Sequence, residues 1–254
     1  MAKIVKKIVT IGGGNLKKLS TLPIDHEIVR LSEKKQPKFL FIPTASSDPE
    51  AYVEKMKEIY GKSLGCKTEV LFLIKEKPSF EEIKKKILGA NIIYVGGGNT
   101  LMMMKHWRRL GVDKLLRTAW QKGTVLCGVS AGSICWFESG HSDSMSFYNP
   151  KKWQYINVRG LGFLKGIHCP HYNSGTLKVP RKEHFRRMIE KTGGTGIAID
   201  NDCAIEFLDD SYRVISSNER ANAFRVFKKD GKVIAEKITK SEKPVPIKDL
   251  FYRH

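Results

Sequence analysis

The chain has 254 residues, with 45 Lys+Arg against 26 Asp+Glu and a formal net charge of +19. A hydrophobic content of 41% excludes a disordered chain, and the length suffices for an α/β core that needs no disulfide or metal staple. The charge admits nucleic acid, an anionic membrane or an acidic substrate as partner. No run of about 18 apolar residues is present to span a bilayer. The five cysteines are odd in number, widely spaced and free of C-x-x-C, and lysines interrupt the apolar N-terminal stretch where a signal peptide needs its h-region. These features predict a soluble cytoplasmic protein.

The first two thirds alternate short apolar runs with longer amphipathic stretches. Ile4–Ile11 is β-branched and ends in Gly12-Gly13-Gly14-Asn15; Phe39–Ile42 stops at Pro43; Glu69–Ile74 is a third run. Ser79-Phe80-Glu81-Glu82 reads as a capping box, with Ile83 and Ile87 following at helical spacing. Asn91–Val95 ends in Gly96-Gly97-Gly98-Asn99, and Thr124–Val129 ends at Ser130. Phe163–Ile167 and Gly196–Ile199 are further buried-strand candidates. The last third turns to short alternating strands: Cys203–Leu208, Tyr212–Ile215, Phe224–Phe227 and Val233–Ile238. Asp230-Gly231 joins the last pair as a tight hairpin turn. The pattern predicts one domain over residues 1–254. Its fold class is α/β, a doubly wound, mostly parallel sheet with an antiparallel C-terminal extension.

Gly128-Val129-Ser130-Ala131-Gly132 is a G-x-S-x-G between an apolar strand and a possible helix start at Ser133–Phe137. This is the context of a nucleophile elbow, where a sharp turn lifts the serine hydroxyl clear of the sheet. The glycines two residues away leave room for that turn, and the Ala131 N–H can face a developing oxyanion. The plainer alternative is a glycine-rich turn at a helix start. Gly96-Gly97-Gly98-Asn99 offers backbone amides, with Gly98 the best-placed donor. Dinucleotide binding fails on spacing, because Leu101 and Lys17 stand where the third glycine of each loop should be.

A serine nucleophile needs a base. Of the histidines His26, His106, His141, His168, His171, His184 and His254, two lie at a probable strand end on the same sheet edge as Ser130, in His168-Cys169-Pro170-His171. His171 or His168 is the candidate base. His26, His106 and His184 sit on helical patterns and read as surface groups. No second pair of ligands accompanies His168, Cys169 and His171, so neither a metal nor another cofactor is expected. To orient the imidazole there are Asp200 and Asp202 after the Gly196–Ile199 run, and Asp143 in the polar stretch Ser139–Ser144, read as a loop.

Ile93–Thr100, Gly128–Gly132 and Pro170–Asn173 together resemble the peptidase E family, aspartyl dipeptidases related to cyanophycinase, and Gly196–Asp200 resembles its later segment. The matching positions run in order from residue 4 to about 208. The resemblance implies a fold like the class I glutamine amidotransferases, with serine where those enzymes use cysteine. It implies Ser130 as nucleophile, His171 as base, Gly98 and Ala131 as oxyanion donors, and Asp143 or Asp200 as the acid of a Ser-His-Asp relay. Asn99 and Arg181 are the expected substrate contacts, the substrate being a short peptide such as a dipeptide with N-terminal aspartate. A homodimer is implied as well. This chain departs from the pattern at Ser133, where the family usually has alanine, and in its basic residues Lys178, Arg181 and Arg186, spaced unlike the arginine cluster of cyanophycinase.

A rival class is a polyanion or nucleic-acid binding protein with a degenerate hydrolase site. The basic residues, however, occur as scattered doublets and triplets such as Lys84–Lys86 and Arg186-Arg187, without interleaved aromatics, so no specific nucleic-acid partner is expected. A cysteine enzyme would have to use Cys127, inside the strand before the elbow, which reads as a buried apolar residue.

Overall fold

Strands that are apolar on both faces pack into the middle of a layered α/β protein. The computed structural model describes residues 4–176 and 179–251, so Lys178 and His254 lie outside the described residues. Strands β1 (Lys7–Ile11), β2 (Lys38–Ile42), β3 (Lys67–Val70), β4 (Ile92–Val95) and β5 (Val125–Val129) run parallel in the order β1-β5-β4-β2-β3. β6 (Phe137–Ser142), β7 (Ile156–Arg159) and β8 (Leu164–Cys169) follow, then the short pair β9 (Gly175–Thr176) and β10 (Val179–Pro180). The rest are β11 (Gly196–Ile199), β12 (Cys203–Leu208), β13 (Ser211–Ser216), β14 (Ala223–Lys229), β15 (Lys232–Lys237) and β16 (Val245–Pro246).

The strands divide between two main sheets where one was expected. The first has the order β16-β13-β12-β1-β5-β4-β2-β3, so the antiparallel extension joins β1 through β12. The second has the order β15-β14-β11-β8-β6-β7, with β6, β8 and β11 parallel and both edges antiparallel. Stretch 139–144, expected as a loop, is largely strand β6. One buried apolar cluster unites both sheets through Leu126, Phe137, Ile197, Ile205 and Phe207.

Helices α1 (Leu22–Leu31), α2 (Glu50–Met56), α3 (Phe80–Gly89), α4 (Thr100–Leu110), α5 (Val112–Gln121), α6 (Ala131–Ile134), α7 (Arg181–Thr192) and α8 (Lys248–Phe251) complete the order. The capping box forms at α3, where Glu82 N–H donates to Ser79 Oγ and Ser79 N–H to Glu82 Oε2. α5 buries Val112, Leu115, Leu116 and Ala119, the i, i+3, i+4, i+7 stripe of a core-facing helix. Asp230 and Gly231 both have positive φ, as the two-residue hairpin between β14 and β15 requires. β3 ends at Val70, short of the expected Ile74. Beyond it the N–H groups of Leu73, Ile74 and Lys75 all donate to Asp48 Oδ2, at 3.0, 2.8 and 3.1 Å, and leave the ladder. No helix among the described residues is long and apolar enough to cross a membrane.

One buried carboxyl makes the fold pH-sensitive. Asp25 on α1 accepts from Tyr60 Oη at 2.7 Å and Thr21 Oγ1 at 3.0 Å, and burial pushes its pKa up to about 6. A raised carboxyl pKa means that the unfolded chain releases this proton first. Stability is therefore lost as pH rises from about 4 to about 6 and stays lost above. Asp25→Asn, which can keep both partners, is expected to stabilise by roughly 1–3 kcal/mol at pH 8 and to be neutral at pH 4. Urea unfolding at the two pH values checks it.

Candidate active site

The site lies at the carboxyl ends of β1, β4 and β5, which are level in register: Ile11 faces Val129 and Val95 faces Gly128. Ligands of open α/β sheets bind at this edge. Ser130 follows β5 at φ 56° and ψ −114°, a strained conformation for a residue with a Cβ. A Cβ on Gly128 would overlap the backbone of Gly132, and one on Gly132 would overlap the Val95 carbonyl. The two glycines therefore exist because strand, turn and helix touch backbone to backbone. A Cβ on Gly97 would sit 3.3 Å from Ser130 Cβ, which places the second glycine loop against the hydroxyl-bearing residue.

Gly98 has φ +137°, and any side chain there would collide with the Ala45 carbonyl. Ala131, first residue of α6, has no intrahelical acceptor for its N–H. Asn99, expected at the substrate, is instead buried as the N-cap of α4, its Oδ1 accepting from Met102 N–H at 3.0 Å.

His171 comes from the other sheet, two residues beyond β8, with φ 52°. The first glycine loop stitches the two halves together: Ser130 N–H donates to Ile11 O, and His171 N–H donates to Gly12 O at 2.9 Å. A Cβ on Gly13 would overlap the His171 ring and Asn201 Oδ1. That loop has no room for a side chain at Gly13 because an imidazole lies against it.

The partner of the imidazole is Asn201. His171 Nδ1 lies 2.6 Å from Asn201 Oδ1, while Asn201 Nδ2 donates to Asn173 Oδ1 and Ser174 Oγ. An amide oxygen only accepts, so Nδ1 carries the proton and Nε2 keeps its lone pair. The expected acids are engaged elsewhere. Asp200 Oδ2 accepts from Asn222 N–H at 2.9 Å, Asp202 Oδ1 accepts from Ser20 Oγ at 2.5 Å, and Asp143 Oδ2 lies 3.7 Å from Arg181 Nη1. Asn201 was missed between two more conspicuous carboxylates, although Cys-His-Asn sites show that an amide can orient an imidazole. Ser130 Oγ and His171 Nε2 share no hydrogen bond among the described residues; such bonds often tighten only in the substrate complex.

Arg181, expected at the substrate, is turned inward. Its residue is 3% exposed, its Nη2 donates to His141 O at 2.8 Å, and its guanidinium lies over the Tyr155 ring. The carboxylate it faces, Asp143, is 40% exposed. Burial, aided by the Arg181 charge, holds the His171 pKa below the ordinary histidine value, against the opposing pull of Asn201 and Asp143. The imidazole therefore stays neutral down to a lower pH than a free histidine does. Asn201→Asp puts a carboxylate on Nδ1 and favours the imidazolium. The acid limb of kcat/KM is expected to move up by about 1 unit or more, read from a pH–rate profile.

His168, the other candidate base, is wholly buried and binds through both nitrogens, and burial lowers its pKa to about 3. His26 is exposed as expected, while His106 and His184 are half-buried. Cys127 is buried in β5 against Ile93 O, and burial pushes its thiol well above the ordinary range, which leaves it inert as a nucleophile.

The model of peptidase family S51 matches residues 8–215. The uncharacterized peptidase YgaJ of Bacillus subtilis (strain 168) is 33% identical over 248 residues, covering 97% of this chain and 100% of that protein. The uncharacterized peptidase Lmo0363 of Listeria monocytogenes is 31% identical over 156 residues, covering 61% of this chain and 73% of its own. Among solved structures, a peptidase from an acI-B1 Actinobacterium superposes with a TM-score of 0.70 at 19% identity, covering 95% of this chain and 97% of that one. A peptidase E candidate from Listeria monocytogenes EGD-e gives 0.64 at 23% identity, covering 84% of this chain and 98% of its own. The structural likenesses concern the fold, and the sequence matches carry the assignment: this chain belongs to peptidase family S51, the serine-peptidase family of peptidase E.

Proposed function

We propose that the chain hydrolyses short peptides through an acyl-enzyme on Ser130, with dipeptides bearing an N-terminal aspartate as the first class to test. Ser130 attacks the scissile carbonyl while His171 Nε2 takes its proton. The N–H groups of Gly98 and Ala131 receive the oxyanion, the amine leaves with the proton, and water, deprotonated by His171, releases the acid. Asn201 takes the orienting role expected of Asp143 or Asp200. The observation that carries this reading is the strained Ser130 elbow and the His171 loop both tied to the end of β1, through Ile11 O and Gly12 O, with the imidazole's Nδ1 proton held by Asn201.

The same reading takes the fold as glutamine-amidotransferase-like and the protein as a single-domain cytoplasmic homodimer. Preference for aspartate would rest on the positive field of a chain with net charge +19, since Arg181 is turned inward. A panel of Asp-X, Glu-X, β-Asp-X and neutral dipeptides, run on wild type and Ser130→Ala, tests it. Asp-X turnover lost in the variant is expected; turnover of none by the wild type overturns the reading.

A further inference from the structure

Beneath the site lies a buried pair that the proposed mechanism leaves unused. His168 Nδ1 is 2.8 Å from Ile197 O, His168 Nε2 is 2.8 Å from Ser133 Oγ, and that oxygen is 2.7 Å from the carbonyl of Ser130 itself. Both residues are wholly buried, and Phe137 stacks on the imidazole at 4.6 Å.

The imidazole proton can be assigned. Ile197 O only accepts, so Nδ1 carries a hydrogen, and in the neutral ring that burial favours Nε2 is then an acceptor. The Ser133 hydroxyl has one hydrogen and two acceptors within reach, the Ser130 carbonyl at 2.7 Å and His168 Nε2 at 2.8 Å, so a single hydroxyl links the elbow carbonyl to the imidazole.

The bond between Ser133 and His168 joins the elbow helix to the second sheet. Ser133 stands three residues after Ser130, one turn along the elbow helix; His168 stands three residues before His171, on β8 of the other sheet. We propose that Ser133 and His168 are a positioning pair whose hydrogen bond sets the distance between Ser130 and His171. The pair spans the same gap between elbow and β8 that the reacting pair spans above it, and the glycine loop at Gly12 supplies the backbone part of the same tie. The proposal rests on the serine-peptidase reading of Ser130 and His171.

The test is the rate at which an alkyl fluorophosphonate labels Ser130, with the melting temperature recorded alongside. A glutamine amide reaches the position of Nε2 and an asparagine amide that of Nδ1. His168→Gln therefore keeps the bond to Ser133, whereas His168→Asn keeps only the bond to Ile197. Ser133→Ala and His168→Asn are expected to label about 10- to 100-fold more slowly, and His168→Gln within about threefold of wild type. A purely structural role for His168 would lower the melting temperature of both His168 variants and separate their rates by nothing. Equal slowing of the Gln and Asn variants, or wild-type labelling of Ser133→Ala, overturns the proposal. If neither His168 variant folds, Ser133→Ala, which removes one atom, decides alone. Failure of the wild type to label at Ser130 overturns the peptidase reading itself, and this inference with it.

Discussion

Ser130→Ala is expected to lower kcat by about 10⁴–10⁶ while leaving the fold in place. In the proposed mechanism the hydroxyl is the atom that attacks, and no neighbouring group substitutes for it; Ser133 Oγ is held between His168 and the Ser130 carbonyl. Alanine keeps the Cβ and hence the backbone strain at φ 56°. Ser130→Gly removes hydroxyl and strain together. It is expected to be equally inactive yet more stable than Ser130→Ala by about 1 kcal/mol, because a strained backbone of this kind costs of order 1–3 kcal/mol and glycine returns part of that as chain entropy. Thermal unfolding of the two variants separates the chemical role of the residue from its conformational cost. A Ser130→Ala enzyme with wild-type turnover would remove Ser130 from the mechanism.

Gly132→Ala is expected to be the most damaging of the small substitutions. The added methyl meets the Val95 carbonyl, with the Gly96 carbonyl 3.0 Å away. Neither is the end of a flexible side chain: β4 and β5 are paired along their length beneath them. The elbow helix must move off the sheet, at about 3–5 kcal/mol, the range of the severe single substitutions. For a chain of this size that is a melting temperature lower by roughly 10 °C or more. Gly65→Ala is the contrast. Nothing lies within 4 Å of its added methyl, so only the backbone cost of its φ of +70° remains. If Gly132→Ala melted with Gly65→Ala, the close approach of elbow and sheet would be wrong.

Legibility in the sequence followed the backbone. The elbow was readable because its glycines are forced by contacts between main chains, which leave a fixed spacing around Ser130. β1, β4 and β5 were readable for a like reason: a strand buried on both faces must be a continuous apolar run, as Val125–Val129 is. In the second sheet β8, β11, β14 and β15 were readable as strands, but β6 was not. Phe137–Ser142 contains Glu138, Ser139, His141 and Ser142, so it reads as loop. It is a strand because its polar groups find buried partners, such as Ser142 Oγ on Thr100 and the His141 carbonyl on Arg181.

The hydrogen-bond partner of the His171 imidazole was hidden by its neighbours. Asp200 and Asp202 drew the eye as carboxylates, but the turn after β11 sends them to Asn222 and Ser20 and leaves the amide of Asn201 facing His171. One position along the chain decides that outcome, and it is set by Tyr172 N–H bonding Ile199 O and Asp202 N–H bonding Gly13 O, contacts between segments far apart in sequence. Arg181 shows the converse. The family resemblance implied a substrate contact at this residue, and its burial among His141, Tyr155 and Asp143 makes it a support for the loop that carries Asp143.

The central claim is that Ser130 is a nucleophile activated by His171, and covalent trapping tests it most directly. After reaction with an alkyl fluorophosphonate, intact-mass and peptide analysis should find one adduct, on the peptide containing Ser130, formed at a rate that falls below the His171 pKa and abolished in Ser130→Ala. An unmodified protein, or an adduct that persists in Ser130→Ala, would contradict it.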